Sequence, residues 1–219
     1  MLKVSFSDIQ RARDVLASYI KPSSLSKSDS LSEEIGTKLF FKWESDHRIK
    51  SFKIRGALNK VLSLSEAERK KGLITVSAGN HAQGVALASQ WAGVKARVVM
   101  METASKVKIK ATESFGAEVI LKGKNYDTSY ALAESLRGDS LFIHPFADPL
   151  IIAGQGTTAL EVFQTLPEVT SVVVAIGGGG LVSGVSLALK HLKPSCRVYG
   201  VVWDGTPAQC RNFHKVGEE

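Results

Sequence analysis

From residue 37 onward the sequence switches repeatedly between short, solidly apolar runs and longer amphipathic stretches, and no other feature constrains its fold as tightly. Candidate strands lie at 38–43, 73–77, 97–101, 117–121, 141–144, 171–176 and 197–202. Most are β-branched or leucine-rich throughout, as suits parallel strands buried on both faces. Helix-like stretches fall between them at 52–64, 80–92, 104–115, 126–137, 155–166 and 181–192. Gly93 and Gly116 stand where C-terminal caps belong, and Pro167 stops the fifth stretch. Near the N-terminus, Ser7 and Gln10 have capping-box spacing for a helix carrying Ile9, Ala12, Leu16 and Ile20 on one face. Residues 21–36, rich in serine and lysine and closed by Gly36, read as a loop. The alternation predicts an α/β fold of open parallel sheets with helices on both faces and right-handed crossovers. In such folds ligands collect at the carboxyl ends of strands, so chemistry is expected in the loops that leave them.

At 219 residues the chain is long enough for one large core or two small ones. Apolar residues make up 44% and charged residues 22%, which gives disorder no compositional support. No apolar run approaches the roughly 18 residues of a membrane helix, and the opening MLKVSFSDIQRARDVL carries charge where a signal peptide has an apolar core. No membrane partner and a cytoplasmic location are therefore expected. The net charge of +7 comes from scattered lysines and arginines. The densest cluster, Lys106, Lys108 and Lys110, sits on a helix-like stretch, so a continuous face for nucleic acid is not expected and small anions suit the charge better. Cys196 and Cys210 form no C-x-x-C pair and have no histidine at zinc-finger spacing; they read as ordinary thiols, with no metal site.

Three strand-to-helix loops carry chemical character. Gly177, Gly178, Gly179 and Gly180 follow the strand at 171–176 and precede LVSGVSLALKHL. Bare backbone at a helix N-terminus makes an anion nest whose usual occupant is a phosphate; a tight turn is the alternative. A G-x-G-x-x-G match would need glycine at Val182 or Ser183, and no G-x-x-x-x-G-K-[ST] exists, which disfavours dinucleotide and NTP sites. The second loop is SFKIRGA at 51–57, where Ser51 can cap a helix whose first turn holds Lys53. The positive helix end, the charges of Arg48, Lys50 and Arg55, and burial beside Phe52 would all disfavour an ammonium there. Lys53 is thus a candidate nucleophilic amine, with a solvated surface lysine as the alternative. The third, Ser77-Ala78-Gly79-Asn80-His81, can receive a carboxylate on its backbone while Asn80 donates to a ring oxygen. His81 reads as a histidine satisfied within the fold in preference to a proton carrier.

Taken together, SFKIRGALNK at 51–60, SAGNHAQGVA at 77–86, GAEVIL at 116–121, HPF at 144–146, GQGTTALE at 154–161 and GGGGLVSG at 177–184 resemble a known family. It is the threonine/serine dehydratase and serine racemase group, pyridoxal-phosphate enzymes of the tryptophan-synthase-β type (fold type II). The likeness runs from about residue 5 to 219. It implies two α/β domains, a small one at 49–146 inserted into a large one built from 1–48 and 147–219. It implies that Lys53 holds pyridoxal 5′-phosphate through its amine, with Phe52 beside it and Asn80 on the ring's phenolic oxygen. The backbone of Gly177, Gly178, Gly179, Gly180 and Leu181 would bind the phosphate, and Ser77, Gly79 and His81 the carboxylate of a small amino-acid substrate. The implied reaction is β-elimination from a hydroxy amino acid, L-threonine giving 2-oxobutyrate and ammonia and L-serine giving pyruvate, in a homo-oligomer. Racemases of the group carry a serine, able to move a proton on the face opposite the lysine, where this chain has Ala78; dehydration is therefore expected over racemisation.

Some positions depart from the family pattern. Lys50 stands where a small residue, often glycine, precedes the SFK motif, and Arg48-Ile49, Ala147, Trp43 and Val202 are also atypical. Family members continue well beyond the position of Glu219, through later strands and the residue facing the pyridine nitrogen; Cys210 does not lie in that motif. A chain ending there would leave the strand at 197–202 with an open edge, and a non-catalytic remnant that binds cofactor or a partner subunit is the reading of a different class.

Overall fold

A computed structural model describes residues 3–202. The chain begins with α1 (Phe6–Leu16), β1 (Leu25–Ser28), α2 (Asp29–Ile35) and β2 (Leu39–Lys42). A central stretch follows: α3 (Lys53–Leu62), α4 (Glu66–Lys70), β3 (Leu73–Val76), α5 (Asn80–Ala92), β4 (Ala96–Met100), α6 (Lys106–Glu113), β5 (Glu118–Leu121), α7 (Tyr126–Leu136) and β6 (Leu141–Phe142). It closes with α8 (Pro149–Thr165), β7 (Ser171–Ala175), α9 (Gly180–Leu192) and β8 (Arg197–Val201).

The expected alternation forms a four-stranded parallel sheet in the order β5-β4-β3-β6 and a parallel pair β7-β8. All of β3 is buried, because helices cover both faces. Leu73, Val98 and Met100 pack with residues of α3 and α5, while Ile74, Val76 and Val99 face Ala133 and Tyr130 of α7. Four expectations need correction. The strand at 38–43 is not parallel: β2 pairs antiparallel with β1, Leu25 opposite Lys42. Residues 21–36 are not a loop, since β1 and α2 lie there. The capping box at α1 is Ser5 with Asp8, whose side chains and backbone N–H groups bond reciprocally, two residues earlier than Ser7 and Gln10. Helix α8 starts at Pro149, six residues ahead of the expected start, with Asp148 accepting from the Leu150 and Ile151 N–H groups.

Helix α8 lies against both α3 and α9. A Cβ on Gly154 would come within 2.6 Å of the Arg55 carbonyl oxygen and 2.7 Å of Gly56 Cα, and one on Gly156 within 3.0 Å of the Gly184 carbonyl. Only bare backbone permits such approach.

Beside that contact, Arg55, 1% exposed, donates to Glu44 (2.7 Å) and Glu161 (2.5 Å), and Lys42 donates to the same Glu161 (2.5 Å). Ser23 donates to Glu44 at 2.6 Å. Two cations and two carboxylates thus balance within one buried cluster that fastens residues 23–44 and α8 to α3. Burial alone would raise the Glu44 carboxyl, but His47, 3.3 Å away, and Arg55 hold it well below its ordinary value.

Candidate functional site

Strand β7 ends at Ala175, and the glycine run then turns sharply into α9, with Gly179 at φ 88 as its N-cap. That left-handed backbone is open to glycine at little cost. Among the described residues, the N–H groups of Gly177 through Val182 have no acceptor, so a row of donors faces outward at the positive end of a helix. A Cβ at Gly177 would meet open space, whereas one at Gly178 would collide with the Phe146 ring.

Lys53 is the first residue of α3. Ser51 does bond to the helix end, its Oγ accepting from the Lys53 N–H at 3.3 Å, although Phe52 occupies the cap position. The Lys53 amine donates to the Pro145 carbonyl at 2.8 Å and lies 5.3 Å from the Phe52 ring centre. Burial lowers its pKa from 10.5 to about 8. The perturbed amine was expected, but the expected charge contributions are corrected: Arg55 is spent on Glu44 and Glu161, and Arg48 lies over the Phe115 ring. Desolvation alone carries the shift.

The third loop joins β3 to α5. Ser77 Oγ accepts from the Gly79 N–H at 3.1 Å, which folds the turn. Among the described residues the N–H groups of Asn80, His81 and Ala82 have no acceptor, and Asn80 is exposed. The His81 side chain points elsewhere: it is 3% exposed, with Nε2 3.2 Å from the Ile143 carbonyl oxygen. Burial first, and Lys53 second, lower its pKa to about 3, so near neutral pH it is an uncharged ring donating to Ile143. Only the backbone of His81 belongs to the loop's donor row.

One connecting segment escaped the sequence reading. Pro145 accepts from Lys53 while Phe146 packs on Gly178 and Gly180, so a single dipeptide touches both the amine and the glycine run. His144 shapes it, Nδ1 accepting from the N–H groups of Phe146 (3.2 Å) and Ala147 (2.8 Å), and burial lowers its pKa. The HPF triplet marked the place, but a carbonyl leaves no signature in side-chain types. Among the described residues, no cluster of three or more His, Cys, Asp or Glu could hold a metal. Cys210 lies outside the described residues.

The sequence profile of the pyridoxal-phosphate dependent enzymes matches residues 16–218. The chain belongs to this family. It is 44% identical over 214 residues to an L-threonine ammonia-lyase of Thermotoga maritima, an alignment spanning 97% of this chain and 53% of that protein. Among solved structures, maize serine racemase superposes with a TM-score of 0.94 at 32% identity, covering 97% of this chain and 65% of that one. Threonine deaminase isoform 2 of Solanum lycopersicum gives 0.89 at 38% identity, over 96% of this chain and 61% of its own. The chain spans between about half and two thirds of the length of these relatives.

The residues present fit the family's cofactor. Its aldehyde needs an amine that is readily neutral, and Lys53 provides one. Its phosphate needs several converging donors without competing acceptors, and the glycine run provides these, with no acidic residue in the first turn of α9.

Proposed function

We propose that this chain acts in the dehydration and deamination of L-threonine to 2-oxobutyrate and ammonia, with L-serine as a second substrate giving pyruvate. One observation carries the reading: the Lys53 amine and the unengaged N–H groups of the glycine run meet across the Pro145–Phe146 loop. The names of the relatives, threonine ammonia-lyase and threonine deaminase, support the substrate class.

Pyridoxal phosphate, held through an amine, draws electrons from the α-carbon of a bound amino acid. The N–H groups of Gly177, Gly178, Gly179, Gly180 and Leu181 would hold its phosphate, the Asn80 amide would donate to its ring oxygen, and Phe52 would flank it. The N–H groups at the start of α5, with Ser77 and Gly79 shaping the turn, receive the substrate carboxylate. Lys53, neutral above about pH 8, is the amine that would hold the cofactor and the base placed to take the substrate's Cα proton. The β-hydroxyl leaves as water, and hydrolysis of the released enamine returns one water and frees ammonia. Ala78 presents a methyl group and donates no proton, which favours elimination over racemisation.

The same reading divides the chain at 49 and 146, supported by a four-stranded sheet whose strands all come from 73–142. It also includes a cytoplasmic location and a homo-oligomer. Among the described residues no helix is long and apolar enough to cross a membrane. The test is a pyridoxal-phosphate titration followed by visible absorbance, beside Lys53→Ala, and then an assay of 2-oxobutyrate from L-threonine and of D-serine from L-serine. A saturable band lost in Lys53→Ala, with 2-oxobutyrate released, is expected. A folded chain without a band, a band that survives the substitution, or D-serine formed faster than pyruvate would overturn the reading.

A further inference from the structure

A histidine stands at the turn that touches both parts of the site. The chain after β6 runs Ile143-His144-Pro145-Phe146-Ala147, and His144 Nδ1 accepts from the N–H groups two and three positions on, Phe146 at 3.2 Å and Ala147 at 2.8 Å. This is the bonding of an Asx turn, where the side-chain oxygen of Asn or Asp is the usual acceptor. An imidazole nitrogen makes the same two bonds only while it carries no proton, so the ring is neutral with its hydrogen on Nε2.

Those two bonds fix one dipeptide and, through it, two distant groups. The Pro145 carbonyl accepts from the Lys53 amine at 2.8 Å, and Phe146 packs on Gly178 and Gly180. A proton on Nδ1 would set a donor against two donors and add charge close to the Lys53 amine. Burial lowers the His144 pKa from the ordinary 6.5; Asp148 opposes that shift and Lys53 adds to it. Asp148 is itself engaged, accepting from Lys60 at 2.9 Å and from the Leu150 and Ile151 N–H groups, and His81, with a pKa of about 3, is uncharged near neutral pH. Packing offers a competing reason for the ring, which stands edge-on to Phe146, centroids 4.6 Å apart, and to Phe142 at 6.3 Å. An apolar ring would pack there equally, yet it would leave the Phe146 and Ala147 N–H groups without the acceptor they have here.

We propose that His144 is a positioning residue for the Lys53 amine: neutral, it clasps the Pro145–Phe146 loop, and on taking a proton it opens the clasp and frees the amine and the glycine run together. The inference rests on the role proposed above for Lys53 and adds to it an acid limit that lies outside the amine. Asn in the same turn would hold the loop at every pH, whereas histidine holds it only above its own titration. With the clasp open, water reaches the amine and the desolvation that makes it readily neutral is lost.

The test compares the full, cofactor-free chain with His144→Asn, which keeps an acceptor in place without the ring, and His144→Phe, which keeps a ring without the acceptor. The Lys53 pKa is read from the pH dependence of its acetylation, located by mass spectrometry. The hold on the loop is read from amide exchange at Phe146 and Ala147, relative to intrinsic rates, above and below the His144 titration followed by the ring's own NMR signal. A Lys53 pKa of about 8 is expected in wild type and His144→Asn, moved toward 10.5 in His144→Phe. Protection of the two amides should fall by about tenfold or more in wild type once the ring is charged, persist across the same range in His144→Asn and be missing throughout in His144→Phe. A Lys53 pKa unmoved in His144→Phe, protection that survives protonation in wild type, or His144→Asn behaving like His144→Phe would each overturn the proposal. Exchange in wild type against His144→Asn decides the question even where His144→Phe fails to fold. No readout involves pyridoxal phosphate, so a chain that takes up no cofactor would count against the proposed reaction and not against the clasp.

Discussion

The Lys53 amine and the Pro145 carbonyl meet at 2.8 Å, a bond between the start of α3 and a loop 92 residues further along the chain. It is made in a setting dry enough to bring the amine's pKa to about 8. In the role proposed for Lys53, uptake of pyridoxal phosphate needs the neutral amine, so its rate should rise about tenfold per pH unit below 8 and level off above it. The stability effect has a defined sign. With the folded value lowered from 10.5 to about 8, the unfolded chain binds more protons between these limits, and stability rises with pH there. Urea denaturation of cofactor-free protein should show wild type gaining on Lys53→Met between pH 8 and 10.5, and on neither side of that window.

Arg55 balances two buried carboxylates, so removing it strands charge. Arg55→Met should cost ~3–5 kcal/mol in chemical denaturation, the range for breaking a buried pair from one side. The effect has an acid signature. Because Glu44 is held below its ordinary value, the stability it contributes is present above the unfolded pKa of 4.5 and is lost as pH falls through the folded one. Wild type should therefore lose stability steeply below pH 4.5, and Arg55→Met much less so.

Lys50 has φ 56, the single positive value among the described non-glycine residues. The left-handed region costs a side chain about 1–2 kcal/mol, while glycine in its place gives up ~0.5–1 kcal/mol of unfolded-state entropy. Lys50→Gly should thus stabilise the chain by about 0.5–1 kcal/mol. A thermal melt with no gain would place the strain elsewhere in the loop.

The cap of α1 separates two serines that a sequence cannot rank. Ser5 accepts from the Asp8 N–H at 3.3 Å and Asp8 accepts from the Ser5 N–H at 2.8 Å. Ser5→Ala should cost ~1 kcal/mol and Ser7→Ala a few tenths at most, measured by denaturation midpoints.

What could be read in advance follows from where the physics is local. The buried parallel strands and α5 announce themselves through solid apolar runs and glycine caps, and the glycine run and Lys53 through loop position. Strand β1, LSKS, and helix α2 have no such signal: β1 is polar and α2 buries nothing, so only pairing with β2 reveals them. The start of α8 was available in Asp148-Pro149, but Gly154 and Gly156 look like helix breakers until their neighbours are known. The cause of the Lys53 shift is not legible in sequence, which shows the charges of Arg48 and Arg55 but not the partners that consume them. The Pro145 acceptor is backbone and has no sequence signature.

The glycine contacts of α8 make that helix a common datum for the site. Lys53 heads α3 and the glycine run heads α9, and each of those helices seats directly on α8, through Gly56 with Gly154 and through Gly184 with Gly156. Two parts far apart in sequence are thereby gauged from one surface, with a single fitted joint between each part and the reference. Placement errors in the intervening strands and loops do not accumulate along the path from amine to glycine run. Insertions in the segments between can be absorbed without altering that span, whereas one methyl group on α8 would change it.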